Sequence, residues 1–74
     1  MNRLTCDEIL QLNVGDKFIE DEPLCAEVAH GVVMTKPVEK DGKITWLAQV
    51  DDGRDVEYLT TRGLHHYGPH IYKV

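Results

Sequence analysis

No stretch of this 74-residue chain is apolar enough for long enough to span a bilayer. The first residues, Met-Asn-Arg-Leu-Thr-Cys-Asp-Glu, lack the apolar core of a secretion signal, and Asn2 excludes the myristoylation motif that needs Gly there. Cysteine is scarce: Cys6 and Cys25 form no Cys-x-x-Cys pair and read as free thiols of a reducing compartment, so the cytoplasm is expected. Bases are outnumbered, 8 against 13 acids for a net charge of −5, which argues against a general nucleic-acid binder. The chain has no phosphate-binding glycine loop, no Gly-x-Ser-x-Gly and no dinucleotide fingerprint. A non-enzymatic protein without cofactor is expected.

A hydrophobic content of 42 % and a charged content of 28 % are those of an ordinary folded domain rather than a disordered tail. Residues 1–74 make one domain, too small to enclose a large ligand cavity.

The centre of the chain, residues 32–60, alternates apolar and polar side chains around two Asp-Gly pairs, Asp41-Gly42 and Asp52-Gly53. Asp-Gly between strand-like runs is a strong hairpin signal. At the second pair a two-residue loop would mix polar and apolar side chains on both faces. A three-residue loop pairs Val50 with Arg54, Ala48 with Val56 and Trp46 with Tyr58, and gathers Ile44, Trp46, Ala48, Val50, Val56 and Tyr58 on one face. At the first pair a three-residue loop sets Glu39 against Lys43 and brings Val38, Met34 and Val32 onto that same face. Leu47 and Leu59 fall on the opposite, polar face and call for a cover, either the N-terminal helix or a partner. A homodimer through them stays open beside a monomer.

A short helix is expected over 5–12. Thr5 and Glu8 form a capping box, and Leu4 and Ile9 a hydrophobic staple. A first strand covers 17–20, and Glu20, Asp21, Glu22 and Pro23 read as an exposed acidic loop. Residues 24–31 suit either a two-turn helix or the first half of a long strand bent at Gly31; we read the strand, running over 26–38. Further strands are expected over 44–50, 54–60 and 70–74.

The result is a mainly β fold of about five strands with one short N-terminal α-helix. Val14-Gly15-Asp16-x-Phe18 opening the first strand, the two Asp-Gly turns, and Tyr67-Gly68-Pro69 before the last strand resemble the small SH3-like antiparallel barrel. The resemblance covers residues 14–74. Barrels of this kind occur in translation factors and in phage accessory proteins. In SH3-like barrels aromatic residues near the last turn line a peptide groove. The resemblance therefore implies a partner-binding surface at Tyr67, Pro69 and Tyr72, while Phe18, Trp46 and Tyr58 go to the core. The carboxylates Glu20, Asp21 and Glu22 offer a second contact surface for a basic partner.

Other chemistry is thinner. His65, His66 and His70 with His30 could supply metal ligands, but adjacent His65 and His66 point oppositely on an extended chain, so a site would need Cys6, Cys25 or an acid. Cys6 lies in the first helical turn, where a thiol is activated, yet Asp7 and Glu8 beside it oppose ionisation; a packed cysteine is expected. Asp51-Asp52 belong to a turn. A protein-binding or regulatory accessory module is the leading reading. The alternatives are a nucleic-acid-associated barrel using Lys36, Lys40, Lys43 and Arg54 as a basic strip, an acidic nucleic-acid mimic, and a metal-binding domain.

Overall fold

The computed structural model describes residues 3–21, 28–51, 53–64 and 70–74. The elements run α1 (Cys6–Leu10), β1 (Lys17–Asp21), β2 (Val28–Val33), β3 (Val38–Lys40), β4 (Lys43–Val50), β5 (Asp55–Thr61) and β6 (His70–Lys73). All pairings are antiparallel. The strands take the order β3–β4–β2–β1–β6, with β5 on the other side of β4, and curl into a half-barrel. The mainly β expectation holds.

The β4–β5 hairpin has the register its side chains demand: Trp46 opposite Tyr58 and Ala48 opposite Val56. The Val50 N–H donates to the Arg54 carbonyl at 2.9 Å, and Gly53 takes the left-handed φ of 84° that closes the three-residue loop. Ile44, Trp46, Ala48, Val50 and Tyr58 are buried on the inner face.

The first Asp-Gly turn departs from expectation. It is a two-residue loop with Lys40 opposite Lys43 and Val38 opposite Thr45. Asp41 and Gly42 both have positive φ, 53° and 76°, the geometry of a type I′ hairpin. Two lysines facing each other disfavour this register, but it turns Glu39 to the inner side. There Glu39 accepts two hydrogen bonds from Arg62, at 2.8 and 3.0 Å.

Nor is the 26–38 strand continuous. Val33 pairs with Ala48 and Val38 with Thr45, so five steps along one chain face three along the other. The surplus pair is taken up at Met34 and Thr35, whose N–H groups both donate to the Leu47 carbonyl, while the Thr35 hydroxyl accepts the Leu47 N–H. Val33 therefore points inward and is fully buried, whereas Met34 and Val38, expected in the core, are exposed and Val32 is only half-buried. Gly31 is no bend. It sits under the Phe18 ring, and a Cβ at that position would lie 2.5 Å from Phe18 Cζ.

The core joins the inner face of the sheet to α1 through Cys6 and Ile9, and to Leu12 just beyond the helix. Trp46 and Tyr58 stack at 5.2 Å, and Phe18 meets both edge-on. The Trp46 indole N–H is buried with no acceptor among the described residues, a penalty of about 1–3 kcal/mol that the ring's burial must exceed. The helix is shorter than the 5–12 expected, but its capping box is complete: Glu8 N–H to Thr5 Oγ1 at 3.2 Å and Thr5 N–H to Glu8 Oε1 at 3.0 Å. It packs on the inner face, so it does not cover Leu47 and Leu59.

Candidate functional site

One face of the sheet is committed to the core, so the outer face is where side chains of several strands are brought together at the surface. The register assigns it residue by residue. In β1, Lys17, Ile19 and Asp21 point outward, and Phe18 and Glu20 inward. In β2 the outward set is Val28, His30 and Val32; in β6 it is His70 and Tyr72. Cross-strand pairing lines these up in rows across β4, β2, β1 and β6. One row runs His30, Ile19, Tyr72, and Asp51 joins it at the β4 end, its carboxylate accepting the His30 N–H at 3.1 Å. The next row runs Gln49, Val32, Lys17 and then Val74, whose N–H donates to the Lys17 carbonyl.

Between the two rows lies an open groove of about 420 Å³. Phe18, Gly31 and Val50 line it together with the outward-facing His30, Val32, Gln49 and Asp51. Same-face residues two apart on a strand are ~7 Å apart, and along the Gln49, Val32, Lys17 and Val74 row four strands at ~4.8 Å spacing give the groove a length of ~14 Å, while the Asp51 and His30 row walls it over β4 and β2. Ile19, Val32 and Tyr72 are each half-buried, and Val28 and Val74, 55 % and 70 % exposed, continue the apolar surface beyond them.

Of the six residues expected to contact a partner, Tyr72 and Asp21 are on this outer face. Glu20 is not: it belongs to β1 rather than to a loop, points inward, and accepts the Tyr58 hydroxyl at 3.0 Å. Burial first, and then the Glu20 carboxylate, push the Tyr58 phenol well above its ordinary range. Asp21 is likewise a strand residue, opposite Val28 and His70. Glu22, Tyr67 and Pro69 lie outside the described residues, as do Cys25, His65 and His66. The sequence reading missed His30, Ile19 and Val32. The two-residue turn at Asp41-Gly42, one residue tighter than expected, is what turns Val32 outward; the pair of residues taken up at Met34 and Thr35 leaves that facing unchanged.

A second outer patch lies over β3, β4 and β5. Val38, Thr45 and Leu59 form a row, with Leu47 beside it. Leu59 and Val38 are 49 % and 59 % exposed, and a groove of about 320 Å³ opens where the chain leaves β4 around Thr35 and Lys36.

The remaining candidates are placed as follows. Cys6 is buried in the core. Among the described residues no three His, Cys, Asp or Glu side chains are grouped to hold a metal. The proposed basic strip is split. Lys36 Nζ turns to the helix and donates to the Leu10 and Leu12 carbonyls at 2.6 and 2.7 Å. Lys40 and Lys43 sit at one end of β4, and Arg54 lies beyond its other end, roughly 23 Å away at 3.3 Å per residue. Arg62 is engaged by Glu39 and by Asp7 of α1, at 2.8 and 3.0 Å.

No protein-family model matches the chain, and no similar curated protein or solved structure was found.

Proposed function

We propose that this protein is a non-enzymatic protein-binding or regulatory accessory module of the SH3-like barrel type, engaging its partner through the outer face of β4, β2, β1 and β6. The observation that carries the reading is the group of half-buried apolar side chains Ile19, Val32 and Tyr72, spread over two adjacent rows of the face turned away from the core, with an open groove at Val32. An outer face with no role would be free to be polar throughout, as Gln49 and Lys17 are on either side of Val32. Exposed apolar surface rimmed by polar groups is the usual mark of a contact site. Tyr72 supplies the aromatic residue that such sites favour. The cytoplasm is the compartment in which this reading places the protein.

The test is affinity capture from a lysate of the source organism, with and without nuclease, using the native chain and the variants Val32→Lys and Tyr72→Ala. The two side chains are half-exposed, so both variants should fold, and thermal unfolding checks that they do. A partner held by the native chain after nuclease, and lost by both variants, supports the reading. A partner held equally by all three places the contact elsewhere. A capture abolished by nuclease favours the nucleic-acid reading, which the separation of Lys43 from Arg54 disfavours.

A further inference from the structure

Resting on that reading of the outer face, we propose that its occupant is an extended segment of a partner protein carrying a Lys or Arg and an apolar side chain about four residues apart. The groove is one chain wide, at ~7 Å between rows, and its ~14 Å length matches about four residues of extended chain at 3.3 Å each. Its two ends differ in chemistry. The β4 end is acidic: Asp51 closes one row, and Asp55, paired with Gln49, lies one strand beyond the other. The Asp51 carboxylate is fixed in place by the His30 N–H, so its charge has a defined position. The other end is apolar: Val74 lines it, and Tyr72 stands in the neighbouring row just outside the lining. Lys17 stands midway along the second row and repels a second base at the middle of the segment. A net charge of −5 draws a basic segment in and repels a second copy of this chain.

The probe is a short capped peptide with arginine and leucine about four residues apart, added to the isotope-labelled full chain and followed through backbone amide shifts. Two controls carry glutamate for the arginine, or arginine and leucine side by side. Shifts at His30, Val32 and Tyr72, with binding about two- to fivefold weaker for Asp51→Asn and weaker still for both controls, would support the proposal. The amide oxygen introduced by Asp51→Asn keeps an acceptor for the His30 N–H, so this variant removes charge alone. The comparison of peptides on the native chain stands even if the variant fails to fold. An equal response to the glutamate peptide, shifts confined to another face, or no response overturns it. If the peptide fails while partner capture still depends on Val32 and Tyr72, the chemistry assigned to the partner is wrong and the surface stands. If capture is indifferent to both residues, the surface falls and this proposal with it.

Discussion

Gly31 and Phe18 share one site in the core. The ring occupies the space a Cβ would need, and it is itself fully buried, so it cannot move aside without disturbing Trp46 and Tyr58. Gly31→Ala should therefore destabilise the fold by about 1–3 kcal/mol, read as a lower denaturation midpoint at unchanged slope. Gly53→Ala makes a contrast: its Cβ meets nothing, and only the left-handed φ is strained, for about 1 kcal/mol. Tyr58 gives a second test at this scale. Its phenol is raised by burial and by Glu20, so the folded chain keeps it neutral where an unfolded chain would ionise it. Below about pH 10 both states hold the proton and the full stability is present; above it the unfolded chain ionises first and stability falls as pH rises. A phenolate absorbance titration should show one of the three tyrosines lagging behind the others.

At the scale of elements, α1 is too short to persist alone and depends on its fastenings. Its start is held by the Thr5–Glu8 box, and the Leu4 N–H donates to the Ile71 carbonyl of β6. Its last carbonyl, that of Leu10, and that of Leu12 just beyond it are met by Lys36. Thr5→Ala should cost about 1 kcal/mol, and Lys36→Met about 1–2 kcal/mol by leaving the Leu10 and Leu12 carbonyls without that donor. Faster amide exchange in α1 ahead of the sheet would confirm both. Asp7, Arg62 and Glu39 tie the helix to the ends of β5 and β3. The Arg62 hydrogen bonds hold the Glu39 carboxyl below its usual range, so this exposed clasp is intact above about pH 4 and loosens as pH falls through the lowered value. Elements of this kind were readable where one local signal settled the matter. Thr5 and Glu8 announced the cap, and Gly53 with the alternation of β4 and β5 gave that hairpin its register. The β2–β3 arm was not readable, because two devices act on it at once. The Asp41-Gly42 turn is one residue tighter than charge pairing suggests, and the doubled donation to Leu47 absorbs two residues further on. An unbroken register lands midway between the two true ones, which sends Val32, Met34 and Val38 to the wrong face.

For the whole molecule, the half-barrel leaves two outer patches of unequal standing. The Val38–Leu59 patch is a few side chains interrupted by Thr45, whereas a stable dimer buries roughly 800 Å² per partner. Sedimentation equilibrium should give a monomer at micromolar concentration, and Leu59→Lys should change stability by less than about 0.5 kcal/mol. A mass that rises with concentration and falls back in Leu59→Lys would make that patch a dimer seam. The site itself was only partly legible. Tyr72 and Asp21, which the structure places on the outer face, were named because aromatic and acidic side chains are conspicuous in a sequence. Ile19, Val32 and His30 look like core residues until strand register decides which way they face.

The extra pair of residues at Met34 and Thr35 also sets how this chain tolerates loss. A strand has a frame of two, as a codon has a frame of three. An even surplus keeps that frame: Val33 before it and Glu39 after it both face inward. Excising a single residue from 34–37 would shift the frame of everything up to the Asp41-Gly42 turn, swing Glu39 outward and leave Arg62 with Asp7 alone. Excising two adjacent residues would preserve the frame and leave a straighter strand. Shortening this arm by one should therefore do more harm than shortening it by two.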